Sequence, residues 1–148
     1  GSILVTGEVD RVTDFEQGMP PSHEAWNGAG WVSDRLVPDD QALVVDVRGR
    51  GLVVVTGCAH AGVVHIVRHA MRLTGGDRLA ALVGGFHLGG PAFEPIIPAT
   101  VAALEQLAPG LVVPGHCTGW RAQQALAAAL PAAYRPGSSG STYTVAAA

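Results

Sequence analysis

Charge is scarce in this chain. Of 148 residues, 14% are Asp, Glu, Lys or Arg against 48% hydrophobic, and the net charge is -3 with six histidines counted neutral. Wholesale disorder needs the opposite balance, so it is excluded. The shortage of charge also implies that some apolar surface is covered by a partner. No basic cluster is present, so the electrostatic footprint of a nucleic-acid binder is missing. No apolar run approaches membrane-spanning length and no signal-peptide pattern is present, so neither a membrane partner nor export is expected. Aromatic residues make up only 5%. Cysteines number two, Cys58 and Cys117, each within two residues of a histidine. They could pair, but their placement in turns beside histidines favours free thiols of a reducing compartment, hence a cytoplasmic location.

What the chain does have is histidine in glycine-rich turns. His60 closes Val55-Thr56-Gly57-Cys58-Ala59-His60, His87 sits in Gly84-Gly85-Phe86-His87-Leu88, and His116 in Pro114-Gly115-His116-Cys117-Thr118-Gly119. An apolar run precedes each: Leu52-Val55, Leu79-Val83 and Leu111-Val113. A stretch with helical potential follows each. An α/β fold builds a site this way, with strands delivering side chains to one edge and loops holding them there. Neutral imidazole is the commonest metal-binding side chain near neutral pH, so three convergent histidines suggest zinc or iron.

At this length the chain suits one domain, residues 1–148, with a real core. Ile3-Thr6 reads as a short strand. Residues 8–40 carry much Gly and Pro with Trp26 and Trp31, lack periodicity, and read as a long loop or lid. Gln41-Val47 and Leu52-Thr56 are β-rich runs joined by a hairpin at Arg48-Gly51. Helical spacing predicts helices over Ala61-Leu73, Pro95-Leu107 and Gly119-Leu130, with strands at Leu79-Val83, Leu111-Val113 and Ser141-Val145. The order ββαβαβαβ from residue 41 predicts an α/β (α+β layered) fold, a mixed sheet with helices on one face.

These phrases, with Thr6-Gly7-Glu8-Val9-Asp10-Arg11, Phe15-Glu16 and Asp39-Asp40-Gln41-Ala42-Leu43, resemble the C-terminal half of a metallo-β-lactamase αββα sandwich. Within that superfamily they are most similar to the branch of dihydropterin-linked ribofuranosylaminobenzene-phosphate synthases and related metal-dependent hydrolases. The superfamily's His-x-His-x-Asp-His loop is absent, and position 65, where the branch has Asn, is His65. The resemblance implies a divalent metal, zinc first with iron or manganese as alternatives, held by His60, His116 and Cys58. His87 is then the catalytic residue, and a small-molecule substrate is bound by Glu8, Arg11, Trp26 and Trp31.

Each residue has a plainer reading. His116 and His60 sit where a histidine could cap the following helix, and His87 could occupy a simple turn. Cys58 could be a small buried residue at a strand end. Glu8 and Arg11 could form a solvated ion pair, and the tryptophans could pack a lid. His65 and His69, spaced i, i+4, lack the Glu of a zinc-binding helix and read as the polar edge of an amphipathic one. The functional reading is a metal-dependent hydrolase or transferase, incomplete without an N-terminal half carrying His-x-His-x-Asp-His. A non-catalytic binding or scaffold half-domain is the alternative. An uncovered apolar sheet face, pairing with a second copy or with the complementary N-terminal half, is expected in either case.

Overall fold

The structure, a computed structural model, describes residues 3–148. Its elements are β1 (Ile3–Val5), β2 (Glu24–Trp26), β3 (Trp31–Ser33), β4 (Ala42–Val47), β5 (Gly51–Thr56), α1 (Val63–Thr74), β6 (Leu79–Gly84), α2 (Ile97–Leu107) after a single 3-10 turn, β7 (Val112–Pro114) and α3 (Trp120–Ala129). The main sheet is mixed, in the order β1-β4-β5-β6-β7. β4 pairs antiparallel with both β1 and β5, whereas β5, β6 and β7 are mutually parallel. The parallel order follows from the chain: α1 and α2 each supply the crossover that a parallel pair requires.

Alternation along the strands divides the sheet into two faces. One carries Ala42, Val44, Leu52, Val54, Leu82 and Val112, packed in a single core with Val63, Ile66, Val67 and Ala70 of α1, Val101 and Leu104 of α2, and Ala122 and Leu126 of α3. α1 stops where Gly75 takes the left-handed conformation and its N–H returns to the Met71 carbonyl, a common glycine helix end. The opposite face consists of two cross-strand rows, Ile3-Val45-Val53-Ala81 and Val5-Leu43-Val55-Val83-Val113. Every one of these residues is apolar. Ile3 is 71% exposed, Val5 51%, Leu43 46% and Val55 38%, while Ala81 and Val113 are buried.

Two expectations are corrected. The segment 8–40 is not wholly irregular: β2 and β3 pair as a hairpin. The Asn27 side chain builds its tip, accepting the Ala29 and Gly30 N–H groups at 2.9 Å. These strands are three residues long and largely exposed, so no buried alternation marks them. Ser141-Val145 forms no strand. The outer edge of β7 is taken instead by Tyr134, since Val112 N–H donates to Ala133 O and Arg135 N–H to Val112 O, both at 2.9 Å. The tail is left to bond the β4–β5 turn, where Arg50 Nε donates to Ala146 O at 3.2 Å.

The two sheet faces predict different mutational costs. Leu82→Ala, fully buried, should cost about 2–5 kcal/mol. Leu43→Ala, on the other face, should cost less than about 1 kcal/mol because half its surface is already wet. Urea unfolding midpoints measure both, and equal losses would mean that the Leu43 face is covered in solution.

Candidate metal centre

The sheet brings the three histidine turns together because β5, β6 and β7 are parallel and end at one edge. The ladder continues past the strands through glycine. Gly85 N–H donates to Gly57 O at 2.8 Å and Gly115 N–H to Gly84 O at 2.6 Å. Thr56 Oγ1–H donates to Gly85 O at 2.9 Å, and Phe86 N–H to Thr118 Oγ1 at 3.2 Å. Gly84 has φ +132°, and a Cβ there would lie 2.3 Å from Thr56 O; a residue other than glycine cannot hold that approach.

Two clusters result. In the first, the imidazoles of His60 and His87 meet edge to face at 4.4 Å between centroids, and Phe93 packs edge to face on His87, also at 4.4 Å. His87 has φ +46° and its neighbour in the cluster, Ala59, has φ +58°, a conformation that costs energy outside glycine and gathers at functional sites. The His87 Nδ1 atom is buried without a hydrogen-bond partner. Burial, followed by the neighbouring His60, His116 and His23, holds the His87 pKa below the ordinary histidine value. Burial therefore favours its neutral form.

In the second cluster, Cys58 Sγ lies 3.0 Å from His116 Nε2. Cys117 Sγ accepts the His87 N–H and donates to Cys58 O, each at 3.3 Å. The two sulfurs and a His116 ring nitrogen all lie within 4.8 Å of one another. Burial, with Cys58 beside it, raises the Cys117 thiol pKa. The structure thus adds Cys117 to the donors gathered here, and its signal in the sequence is its position beside His116 in a glycine-bounded turn.

A cavity of about 450 Å³ opens on the first cluster, with Phe15, Met19, Arg35 and Phe93 around His60 and His87. Glu8, Trp26 and Trp31 are outside its lining. The tryptophans are exposed and pack on each other at 5.8 Å across the β2–β3 hairpin. Arg11 donates instead to the carbonyls of Ala61 and Leu36, so its guanidinium clasps two loops. Arg35, Met19 and Phe93 carried no pattern that marks them from sequence.

Behind the cavity, the segment 6–16 is fixed to α1 by buried polar groups. Glu16 Oε1 and Oε2 accept the Val64 and His65 N–H groups, both at 2.9 Å, and so cap the helix N-terminus and its positive dipole end. Burial raises the Glu16 pKa, opposed by these two bonds. A Cβ on Gly62 would meet the Glu16 carboxyl at 2.5 Å. His65 and His69 do not form a solvated helix edge; both are buried. Thr13 N–H donates to His65 Nε2 at 2.9 Å and His65 Nδ1 reaches Ala61 O at 2.8 Å. Asp10 N–H donates to His69 Nδ1 at 3.3 Å.

A mixed sheet with helices on one face and histidines at the C-terminal ends of its parallel strands is one half of a metallo-β-lactamase αββα sandwich. The chain shares it with the crystal structure of Tm1679, a metal-dependent hydrolase of the β-lactamase superfamily: TM-score 0.79, 28% identity, 97% of this chain and 54% of that one covered. In sequence it is similar to the 7,8-dihydropterin-6-methyl-4-(beta-D-ribofuranosyl)-aminobenzene-5'-phosphate synthase of Methanocaldococcus jannaschii, 37% identical over 87 residues, which are 59% of this chain and 29% of the synthase. Thus the chain spans about half of the solved relative, and its match under a third of the synthase. No protein-family model matches it.

Two substitutions test the frame of the site. Glu16→Ala leaves two helix N–H groups without acceptors and should lower stability by about 2–3 kcal/mol, read from chemical denaturation. Gly85→Ala puts a Cβ 2.6 Å from Cys117 Sγ and 2.9 Å from His116 Cε1. It should leave the far-ultraviolet circular dichroism native while lowering metal affinity about tenfold or more, measured by calorimetric titration.

Proposed function

We propose that this chain is the metal-binding part of a metal-dependent hydrolase or transferase. The observation that carries the reading is the donor set at the edge of the parallel strands: a buried, unpartnered His87 Nδ1 beside His60, and His116 against Cys58. Nitrogen and sulfur donors of this kind suit zinc, with iron or manganese as alternatives. His60, His116 and Cys58 would hold the metal, which when bound acidifies water or polarises a substrate oxygen. His87 is the catalytic residue of this reading. Its neutral ring, held edge-on against His60 and Phe93, faces the cavity and can take up a proton there. A small-molecule substrate occupies the cavity. The similarity to the synthase makes transfer chemistry as admissible as hydrolysis.

The open apolar face supports a second layer, either the complementary N-terminal half or a second copy, because Ile3, Val5, Leu43 and Val55 of its apolar rows would otherwise face water. The reading also includes a cytoplasmic setting: both cysteines are free thiols, as a reducing compartment keeps them. Among the described residues no helix is long and apolar enough to cross a membrane. A non-catalytic half-domain is the second reading, favoured by the ligand count. Among the described residues a single cluster of three His, Cys, Asp or Glu ligands forms, whereas a two-metal site needs more.

The test is a zinc titration by calorimetry under reducing conditions. Weak binding of one equivalent is expected, lost in His116→Ala and unchanged in His69→Gln, with little hydrolysis of phosphodiesters or lactones by the chain alone. Stoichiometric binding of two metals, or turnover that survives His116→Ala, would place the chemistry elsewhere.

A further inference from the structure

The geometry points to Cys117 as a metal ligand, so that Cys58, Cys117 and His116 form a two-sulfur, one-nitrogen site for a zinc-class cation. This rests on the metal-centre reading above for Cys58 and His116, puts Cys117 in the place that reading gives His60, which lies outside the three-donor cluster, and changes the chemistry of that centre from imidazole-dominated to thiolate-dominated. Three observations carry it. The three donor atoms already lie within 4.8 Å of one another, with Cys58 Sγ and His116 Nε2 at 3.0 Å. Tetrahedral ligation at the usual zinc–sulfur and zinc–nitrogen lengths separates donors by about 3.5–3.8 Å. The cluster therefore needs side-chain adjustments of well under the width of an atom, with no movement of the strands.

The second observation is that the space is built: a Cβ on Gly85 would stand 2.6 Å from the Cys117 sulfur and 2.8 Å from Gly57 O, so glycine there leaves the thiol its room. The third is that Cys117 Sγ is aimed by the protein: the His87 N–H donates to it at 3.3 Å. On binding, each thiol forms a sulfur–metal bond and releases its proton to solvent, with no change in oxidation state. Three protein ligands leave one tetrahedral position, and His116 is exposed, so that position is open to water or substrate as catalytic sites require. Two sulfurs also set preference, since thiolates select zinc or softer cations over magnesium, calcium and manganese.

Cobalt is the probe, because sulfur-to-cobalt charge transfer in the near ultraviolet separates thiolate from imidazole ligation. The 148-residue chain is titrated with Co²⁺ under a phosphine reductant. A charge-transfer band is expected, about halved in Cys117→Ser and absent in the Cys58→Ser, Cys117→Ser double variant, with Co²⁺ affinity lowered about tenfold or more in the single variant. Zinc-edge X-ray absorption on the unaltered protein counts sulfur neighbours without any substitution, so a variant that fails to fold does not spoil the test; two sulfurs are expected. Cobalt binding without the band, a band indifferent to Cys117→Ser, or fewer than two sulfurs around zinc overturns this inference and leaves the metal on histidine. No binding of either ion overturns the metal-centre reading with it.

Discussion

The candidate site depends on backbone meeting backbone at Gly84-Gly85. Past the end of β6 the chain must come within hydrogen-bond reach of the turn after β5 on one side and the turn after β7 on the other. Gly85 N–H reaches Gly57 O, and Gly84 O receives Gly115 N–H. A side chain at Gly84 would collide with Thr56, and one at Gly85 with Cys117 and His116. Absence of side chains here lets three turns close into one edge, and so brings residues 58, 87 and 116, far apart in the chain, within reach of one another. The strain accepted at Ala59 and His87, both at positive φ, is consistent with turns whose geometry is set by this crowding and not by their own preferences.

The histidine edge was legible in the sequence because its two determinants are local. Each turn has glycine within two residues of its histidine, and each follows a short apolar run of the length a buried strand needs. The helices were legible for the same reason: α1 places Val63, Val64, Ile66, Val67 and Ala70 on the core at helical spacing. What stayed hidden is non-local. Nothing within five residues of Ser141-Val145 reveals that Tyr134 already occupies the edge of β7. The β2–β3 hairpin carried a local turn signal, Asn27-Gly28, but its strands are too short and too wet to alternate. Arg11 and Glu16 showed charge without showing direction. Charged residues in an irregular segment look available to a ligand, and only the fold shows that one clasps Ala61 and Leu36 while the other caps a helix.

The scarcity of charge has a structural counterpart in the sheet. Its two faces are both apolar, whereas a sheet wetted on one side alternates apolar with polar residues. The helix-covered face accounts for one set. The other set, from Ile3 across to Val113, is in register over five strands, and burial at its β7 end comes with the C-terminal tail, where Gly137 lies against Pro114 and Val113. An apolar row that stays half-wet at Ile3, Val5, Leu43 and Val55 is what a sandwich leaves when one layer is considered alone, and the similarity to Tm1679, of which just over half is covered, has the same implication.

The cavity has two walls of different origin, and α1 joins them. The sheet edge supplies His60 and His87. The facing wall, Phe15 to Met19, comes from a segment with no regular structure and little core of its own. Its position is set by imidazoles that use both ring nitrogens. His65 links Thr13 to Ala61, and His69 takes the Asp10 N–H while lying 3.4 Å from Thr6 O. A buried polar group that spends each of its donors and acceptors in this way avoids most of the desolvation cost of burial and gains direction. The two helix histidines thus hold the wall opposite His60 and His87, which is why their ring nitrogens are not free to ligate anything.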